Sequence, residues 1–493
     1  MILLAIIAGF ALTLSLPPFS VSLLSFFALV PLFFAINNTT PKKAFKIGYI
    51  FGLSHFLTLL YWVPYPISKY GGLPIELSIF PYLILSMYMA TFFAVFCFSC
   101  KLQSKLALLF NPCCWVVLEF LRGKLLTGFP WCLIGYSQYK NLHLIQVADI
   151  TGTYGISFLI VLINTALYLL LIRKLNFIKG FVVLVLFIFT YVYGTYRLNA
   201  TIKGIPVKAA IVQGNIDQSL KWNPSYQAKT MATYLELTGC AFKNGANLVI
   251  WPETSVPFYF QEGGRLAKLV YRISRGIKLI FGSPAYKREN AHIFYFNRAY
   301  LLCNGKLVSY YDKVHLVPFG EYVPLKRVLF FVNKLVPCAG DFSPGRKITP
   351  LKCKDLSAGV MICYEAIFPE IARAHVKKGA NILVNISNDA WFGKTSAPYQ
   401  HFAMSIFRAV ENRRYLVRAT NTGISGFIDP CGRVIKKGTL FQKQLLLARV
   451  KLVNQHLTIY TKYGDLGVYL ALFYVIISFL MNHEARQQLS HFF

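Results

Sequence analysis

Long apolar runs joined by short, lysine-bearing connectors fill the N-terminal part of the chain. The stretches at about 1–17, 21–36, 46–63, 77–98, 106–121, 155–172 and 180–196 each carry too few charges for a soluble helix and predict seven membrane spans. One more apolar run, Leu466 to Met481, predicts an eighth. Between them, residues 197–462 change period and read as an ordinary soluble domain. The pattern thus predicts a transmembrane bundle over 1–196, a soluble domain over 197–462, and a final span with a short tail over 463–493. The first run lacks a basic flank and a small-residue cleavage site, so it reads as a span and not as a signal peptide.

Within the soluble stretch, apolar runs of strand length alternate with helical periods. Strands are predicted at Val207 to Gln213, Asn247 to Trp251, Leu279 to Gly282, Ala299 to Cys303, Val308 to Tyr311, Ala358 to Cys363 and Asn381 to Ile386. Helices are predicted at Tyr226 to Phe242, Phe368 to Lys377 and His401 to Tyr415. Gly423 to Ile428 and Arg433 to Lys436 form a hairpin around Asp429-Pro430-Cys431-Gly432. Such alternation predicts sheets packed with helices in layers, an α/β domain.

Composition sharpens this picture. A hydrophobic content of 56% and a mean hydropathy of +0.50 exceed those of soluble domains. The net charge of +32 lies largely in connectors and on a tethered domain, where attraction to anionic lipid headgroups accounts for it. No nucleic-acid motif is present, so nucleic acid is not expected as a partner. The 11 cysteines show no CxxC or Cys/His spacing, which argues against zinc, and neither metal nor cofactor is expected. Lys42, Lys43 and Lys46, then Lys101 and Lys105, then Arg173, Lys174 and Lys179 fall in alternate connectors. These connectors should face the cytoplasm, which delivers the soluble domain to the opposite side, the periplasm of a Gram-negative cell. Near the end of the fifth span, Glu119 and Arg122 are three residues apart and can share a helix face. Thr127-Gly128-Phe129-Pro130-Trp131 then suits a re-entrant or interfacial loop.

Three strand ends carry reactive groups. Glu253 follows Leu248-Val249-Ile250 within Trp251-Pro252-Glu253; Lys313 follows Tyr311-Asp312; Cys363 ends the run Gly359-Val360-Met361-Ile362. Singly, they read as a surface acid, a solvated cation and a core thiol. Together they match a chemistry. A partly buried carboxylate can accept a thiol proton, a fixed ammonium supports thiolate and oxyanion, and a cysteine where a helix begins is favoured as thiolate.

These motifs resemble the Glu-Lys-Cys triad of the nitrilase, or carbon–nitrogen hydrolase, superfamily, whose fold is a four-layer α-β-β-α sandwich. The segments Leu118-Glu119-Phe120-Leu121-Arg122-Gly123, Thr127 to Trp131, Gln213-Gly214-Asn215, Ser387-Asn388-Asp389-Ala390-Trp391-Phe392-Gly393 and Ala419-Thr420-Asn421-Thr422-Gly423-Ile424-Ser425 extend the likeness over nearly the whole chain. More narrowly, the chain resembles the bacterial apolipoprotein N-acyltransferase family. Lys462 departs from it, standing where arginine is expected.

The resemblance implies an inner-membrane acyltransferase with a periplasmic catalytic domain. Its donor would be a phospholipid, usually phosphatidylethanolamine, and its acceptor the α-amine of the S-diacylglyceryl cysteine of an apolipoprotein. Glu253, Lys313 and Cys363 would be catalytic, working through a thioester on Cys363. Glu321 and Glu365 would be supports that orient Lys313 and the amine. Trp222, Tyr322, Tyr364 and Phe258 would form an apolar rim, under a mobile loop at 216–226 or 319–340. Asn388 and Asp389 read as turn formers. Two other readings remain: a membrane-tethered amidase or acyltransferase with a different acceptor, and a non-catalytic lipid-binding scaffold.

Overall fold

The computed structural model describes residues 1–290, 292–323 and 342–482. The chain divides into two compact units. One comprises Met1–Pro64, Pro74–Ala200 and the described residues from Tyr463 on; the other comprises Tyr65–Leu73 and Thr201–Lys462.

The first unit is helical. Four helices, Ile75–Leu102, Ser104–Arg122, Ala148–Leu171 and Phe177–Asn199, are long and apolar enough to cross a membrane, and Ile2–Ser15, Ser22–Ile36 and Leu466–Met481 are shorter apolar helices. Helix starts follow local chemistry. Thr40 caps Pro41–Leu59 by accepting from the Lys43 N–H, with Pro41 in the first turn, where its missing donor costs nothing. Asn176 caps Phe177–Asn199 by accepting from the Ile178 N–H. The apolar run at 21–36 is not one smooth helix: a 3₁₀ segment Ser22–Phe26 precedes the α-helix Val30–Ile36. Glu119 and Arg122 are buried inside this unit. Glu119 Oε1 accepts from the Ile134 N–H at 2.8 Å, and the Arg122 guanidinium lies 5.4 Å from the Phe56 ring. After Gly128, whose φ of +85° suits only glycine, Phe129 stacks on Trp131, and Trp131 is buried.

The second unit holds two six-stranded sheets. β1 (Ile205–Gln213), β2 (Leu248–Ile250), β3 (Lys278–Glu289), β4 (His292–Cys303) and β5 (Lys306–Asp312) form one sheet with β12 (Gln444–Leu452), in the order β12-β1-β2-β3-β4-β5. The other runs β11-β10-β9-β8-β7-β6, from β6 (Leu351–Cys353), β7 (Leu356–Ile362), β8 (Ile382–Ser387), β9 (Leu416–Thr420), β10 (Gly426–Ile428) and β11 (Val434–Lys437). Each sheet has a parallel core, β1-β2-β3 and β7-β8-β9, flanked by antiparallel strands. Period-two alternation sorts the side chains. Ala209, Ile211, Leu248, Ile250 and Ile280 meet Val360, Ile362, Val384, Ile386 and Val417 between the sheets. Their neighbours Ala210, Val212, Val249, Trp251, Leu279 and Phe281 face outward into a second cluster with Met231 and Tyr234 of the helix Pro224–Lys243 and Val270 of the helix Gly264–Ile273. The helices Pro369–Lys377 and Ala397–Asn412 accompany the second sheet. The result is a nitrilase-like α-β-β-α arrangement.

Several elements differ from the sequence expectation. β3 and β4 extend into a long hairpin, and β6, β9, β12 and the helix Gly264–Ile273 are additional. A disulfide joins Cys303 of β4 to Cys353 of β6, tying the two sheets together. The connector Tyr65–Leu73 belongs to this unit: the Tyr70 hydroxyl donates to the Ala390 carbonyl at 3.2 Å, and its ring lies 4.9 Å from that of Trp391.

Candidate active site

Parallel strands ending at one edge bring their following loops together, and Glu253, Lys313 and Cys363 meet there. β2 hands the chain to Trp251, whose buried ring stacks on Tyr234 and whose indole N–H donates to Thr238 Oγ1 at 2.9 Å. That anchor fixes where Glu253 emerges. The turn behind it is strained: Thr254 has φ +43°, unusual for a β-branched residue. It also passes so close to β3 that a Cβ on Gly282 would lie 2.4 Å from the Thr254 nitrogen.

β4 supplies the bridge. Asn297 Nδ2 donates to Glu253 Oε1 at 2.7 Å and to Glu321 Oε1 at 3.0 Å. Lys313, buried after β5, lies 2.8 Å from Glu321 Oε2 and 3.8 Å from Glu253 Oε1. Burial works against its charge, but Glu321 and Glu253 outweigh that and hold its pKa well above the ordinary lysine value. The Asp312 carboxylate, held by Arg298 at 2.6 and 2.9 Å, fixes the strand end before it. Among the described residues Glu253 Oε2 is buried without a hydrogen-bond partner.

Cys363 closes β7 with φ +51° and opens a 3₁₀ turn, Cys363–Ile367. The helix proper starts only at Pro369, too far along for its N-terminus to act directly on the thiol. Burial, and then the charge of Glu253, push the thiol pKa up to about 12 against the pull of Lys313. Ionisation of Cys363 therefore calls for a nearby base to take its proton, the part expected of Glu253.

Glu365 does not hold Lys313. Its Oε1 accepts from the Tyr311 hydroxyl and the N–H groups of Val314 and His315, and its Oε2 from the Ile362 N–H at 2.7 Å. It thereby ties the loop after Lys313 to the strand before Cys363. Burial raises its pKa to about 7. Tyr364 is buried with its ring 5.1 Å from Phe368 and 5.8 Å from His315. Trp222 is 48% exposed, and Tyr322 is half-buried. Phe258 packs instead against the cluster on the outer face of the first sheet. Of the two loops read as lids, most of 319–340 lies outside the described residues. The other, 216–226, is anchored by Asn388 Nδ2 donating to Gln218 Oε1 at 2.6 Å and by the Ile216 N–H donating to Asn421 Oδ1 at 2.8 Å.

Five buried residues, Asn385 among them, were not singled out from sequence. Asn297 is the first. Lys221 donates to Thr254 Oγ1 at 2.6 Å and to the Glu253 carbonyl at 3.3 Å, and burial lowers its pKa to about 8. His401 and Arg418 lie behind Cys363. Asp389, read as a turn former, joins them: Arg418 outweighs its burial and holds the carboxyl well below the usual range. Asn297 interrupts the apolar run of β4 and Lys221 lies in the turns before the helix Pro224–Lys243, but nothing nearby in sequence tells what they meet. Among the described residues no cluster of His, Cys, Asp and Glu could hold a metal ion.

Residues 8–166 match the apolipoprotein N-acyltransferase N-terminal domain, and residues 208–459 match the carbon–nitrogen hydrolase family. The chain is 43% identical to the apolipoprotein N-acyltransferase of Geobacter metallireducens, over 94% of this chain and 91% of that one. It is 35% identical to that of Methylococcus capsulatus, over 90% and 89%. Among solved structures, a nitrilase-superfamily amidase from Nesterenkonia AN1 superposes with a TM-score of 0.40 at 20% identity, covering 55% of this chain and all of that one.

Proposed function

Since the chain belongs to the apolipoprotein N-acyltransferase family, we propose that it moves an acyl chain from a phospholipid to the N-terminal amine of a diacylglyceryl apolipoprotein, with Cys363 carrying the acyl group between them. Glu253 accepts the Cys363 proton as the sulfur attacks the donor's ester carbonyl. Lys313 and the backbone N–H at Tyr364 hold the oxyanion. As the tetrahedral intermediate collapses, Glu253 returns the proton to the departing alkoxide, and a lysophospholipid leaves a thioester on Cys363. The acceptor amine then attacks the thioester, Glu253 takes its proton, and the thiol is regenerated as the amide forms. Two covalent steps at one site predict ping-pong kinetics. The observation that carries this reading is Glu253 Oε2, a buried carboxylate oxygen without a partner among the described residues, facing a cysteine whose pKa burial and the Glu253 charge push up.

The finer features follow the same reading. We propose seven N-terminal spans over 1–196, a catalytic domain over 197–462 and a last span at 466–481, with the site outside the cytoplasm of a bacterial inner membrane and phosphatidylethanolamine as the donor. The lysine-rich connectors support that orientation, and the Cys303–Cys353 disulfide supports an oxidising compartment. Glu321 orients Lys313, and Trp222, Tyr322 and Tyr364 line the lipid entrance. Intact-mass measurement of detergent-solubilised protein given phosphatidylethanolamine should show an acyl adduct that Cys363→Ala lacks. A diacylated lipopeptide with a free N-terminus should discharge it. Discharge to water at the same rate with and without peptide would make the enzyme a lipase, and no adduct would leave the scaffold reading.

A further inference from the structure

The carbonyl of Cys363 is gripped from behind by groups that no step above uses. His401 Nε2 lies 3.2 Å from this oxygen, and Asn385 Nδ2 lies 3.4 Å from it and 2.9 Å from the Met361 carbonyl. A carbonyl only accepts, so Nε2 must carry the imidazole hydrogen. Burial, then the Arg418 charge, keep His401 below its usual range, and Arg418 Nη2 lies 3.0 Å from Nδ1. The same Arg418 donates to Asn385 Oδ1 and, at 2.8 Å, to Asp389 Oδ2. Asp389 Oδ1, 3.2 Å from His401 Nδ1, accepts from Ser387 Oγ at 2.7 Å. His401, Asn385 and Arg418 are all fully buried. One guanidinium thus orients both donors on one carbonyl.

A trans peptide is planar, with its C=O and N–H pointing in opposite directions. Pulling the Cys363 oxygen back toward Asn385 and His401 therefore drives the Tyr364 N–H the other way, and it does so at a residue whose φ of +51° needs outside support. We propose that Arg418, His401 and Asn385 are positioning residues, a clamp on the Cys363 carbonyl that aims the Tyr364 N–H at the oxyanion. This rests on Cys363 being the acylated nucleophile.

Two reagents separate aiming from folding. Iodoacetamide alkylates a thiolate by displacement at carbon and forms no oxyanion; a p-nitrophenyl ester acylates it through one. In the full-length protein in detergent, His401→Ala should cut acylation by the ester on the order of 100-fold while alkylation stays near wild type. Asn385→Leu keeps a similar volume, adds no charge and removes the donor to Cys363; it should lower acylation about 10-fold with the same selectivity. It also decides the matter if His401→Ala does not fold. Equal losses in both reactions, or unchanged acylation, would overturn the clamp. Wild type that alkylates yet takes no acyl group from the ester would overturn the nucleophile reading and the clamp with it. Neither reagent needs a lipid acceptor, so failure of the transferase reading alone would leave the clamp's result unchanged.

Discussion

The two halves of the site are built on opposite principles. On the first sheet's side, Glu253, Glu321 and Lys313 crowd around one asparagine, and Glu253 keeps an oxygen that nothing described satisfies. On the second sheet's side, both Glu365 oxygens and the Cys363 carbonyl are bound by named donors. An unmet buried acceptor costs about 1–3 kcal/mol, so a fold keeps one only where it serves something else. The contrast separates two tasks. The side that must exchange protons leaves a carboxylate oxygen unmet, and the side that must hold a direction binds the Cys363 carbonyl and both Glu365 oxygens. Perturbing the first should change chemistry at little cost to the fold; perturbing the second should change geometry.

Cys363→Ala tests the contrast at its extreme. It should remove the acyl-enzyme and lower transfer by at least about 10⁴-fold, with thermal unfolding near wild type. Glu253→Gln comes next, with acylation by phospholipid falling about 10³-fold as the base is lost. The same change should move the thiol the other way. The Glu253 charge raises the Cys363 pKa, so removing it lets the thiolate form at lower pH. Wild-type alkylation by iodoacetamide should rise about tenfold per pH unit without a plateau up to pH 9, because the thiol pKa is near 12. The Gln variant should alkylate faster at every pH in that range. A variant that loses acylation and alkylation together would mean that Glu253 holds structure and does not move a proton. Asn297→Ala should be milder, about tenfold in acylation, since it loosens Glu253 Oε1 from Glu321 and leaves both carboxylates in place.

What could be read from sequence follows the same division. Glu253, Lys313 and Cys363 were legible because each directly ends a short apolar run, so local pattern alone puts them at a strand end. The layered class was legible from the alternation of periods. Asn297, Lys221, His401 and Arg418 were not, because their partners are distant in sequence: Lys221 meets Thr254, and Arg418 meets Asp389. β12 escaped for a related reason. Its existence depends on pairing with β1, more than 200 residues earlier, and its alternation is diluted by Arg449 and Lys451. Glu365 was legible as a carboxylate near the nucleophile, but which donors it serves is decided by the fold. The break in the apolar run at 21–36 falls just before Pro31, which sits in the first turn of Val30–Ile36, a signal that hydropathy alone runs straight through.

Lys221 belongs to neither side cleanly, and so sets the smallest and sharpest test. Its ammonium, 2% exposed, holds the Glu253 carbonyl and the strained Thr254 from the loop that also carries Trp222. Lys221→Met keeps the length and apolar stem but loses the donors, and should slow acylation only about fivefold at pH 7 if the turn is also held by β3. The informative readout is stability against pH. Burial lowers the Lys221 pKa from 10.5 to about 8 in the folded protein. Between these values the unfolded chain binds the proton and the folded one does not, so stability from this group rises with pH across the window. Methionine has no proton to lose. The unfolding free energy of wild type relative to Lys221→Met should therefore climb from pH 8 toward 10.5, by at most about 3 kcal/mol. A flat difference would mean that Lys221 stays charged throughout and belongs with Lys313 among the fixed cations; a slope would mark it as a buried group that surrenders its charge to stay where the base needs it.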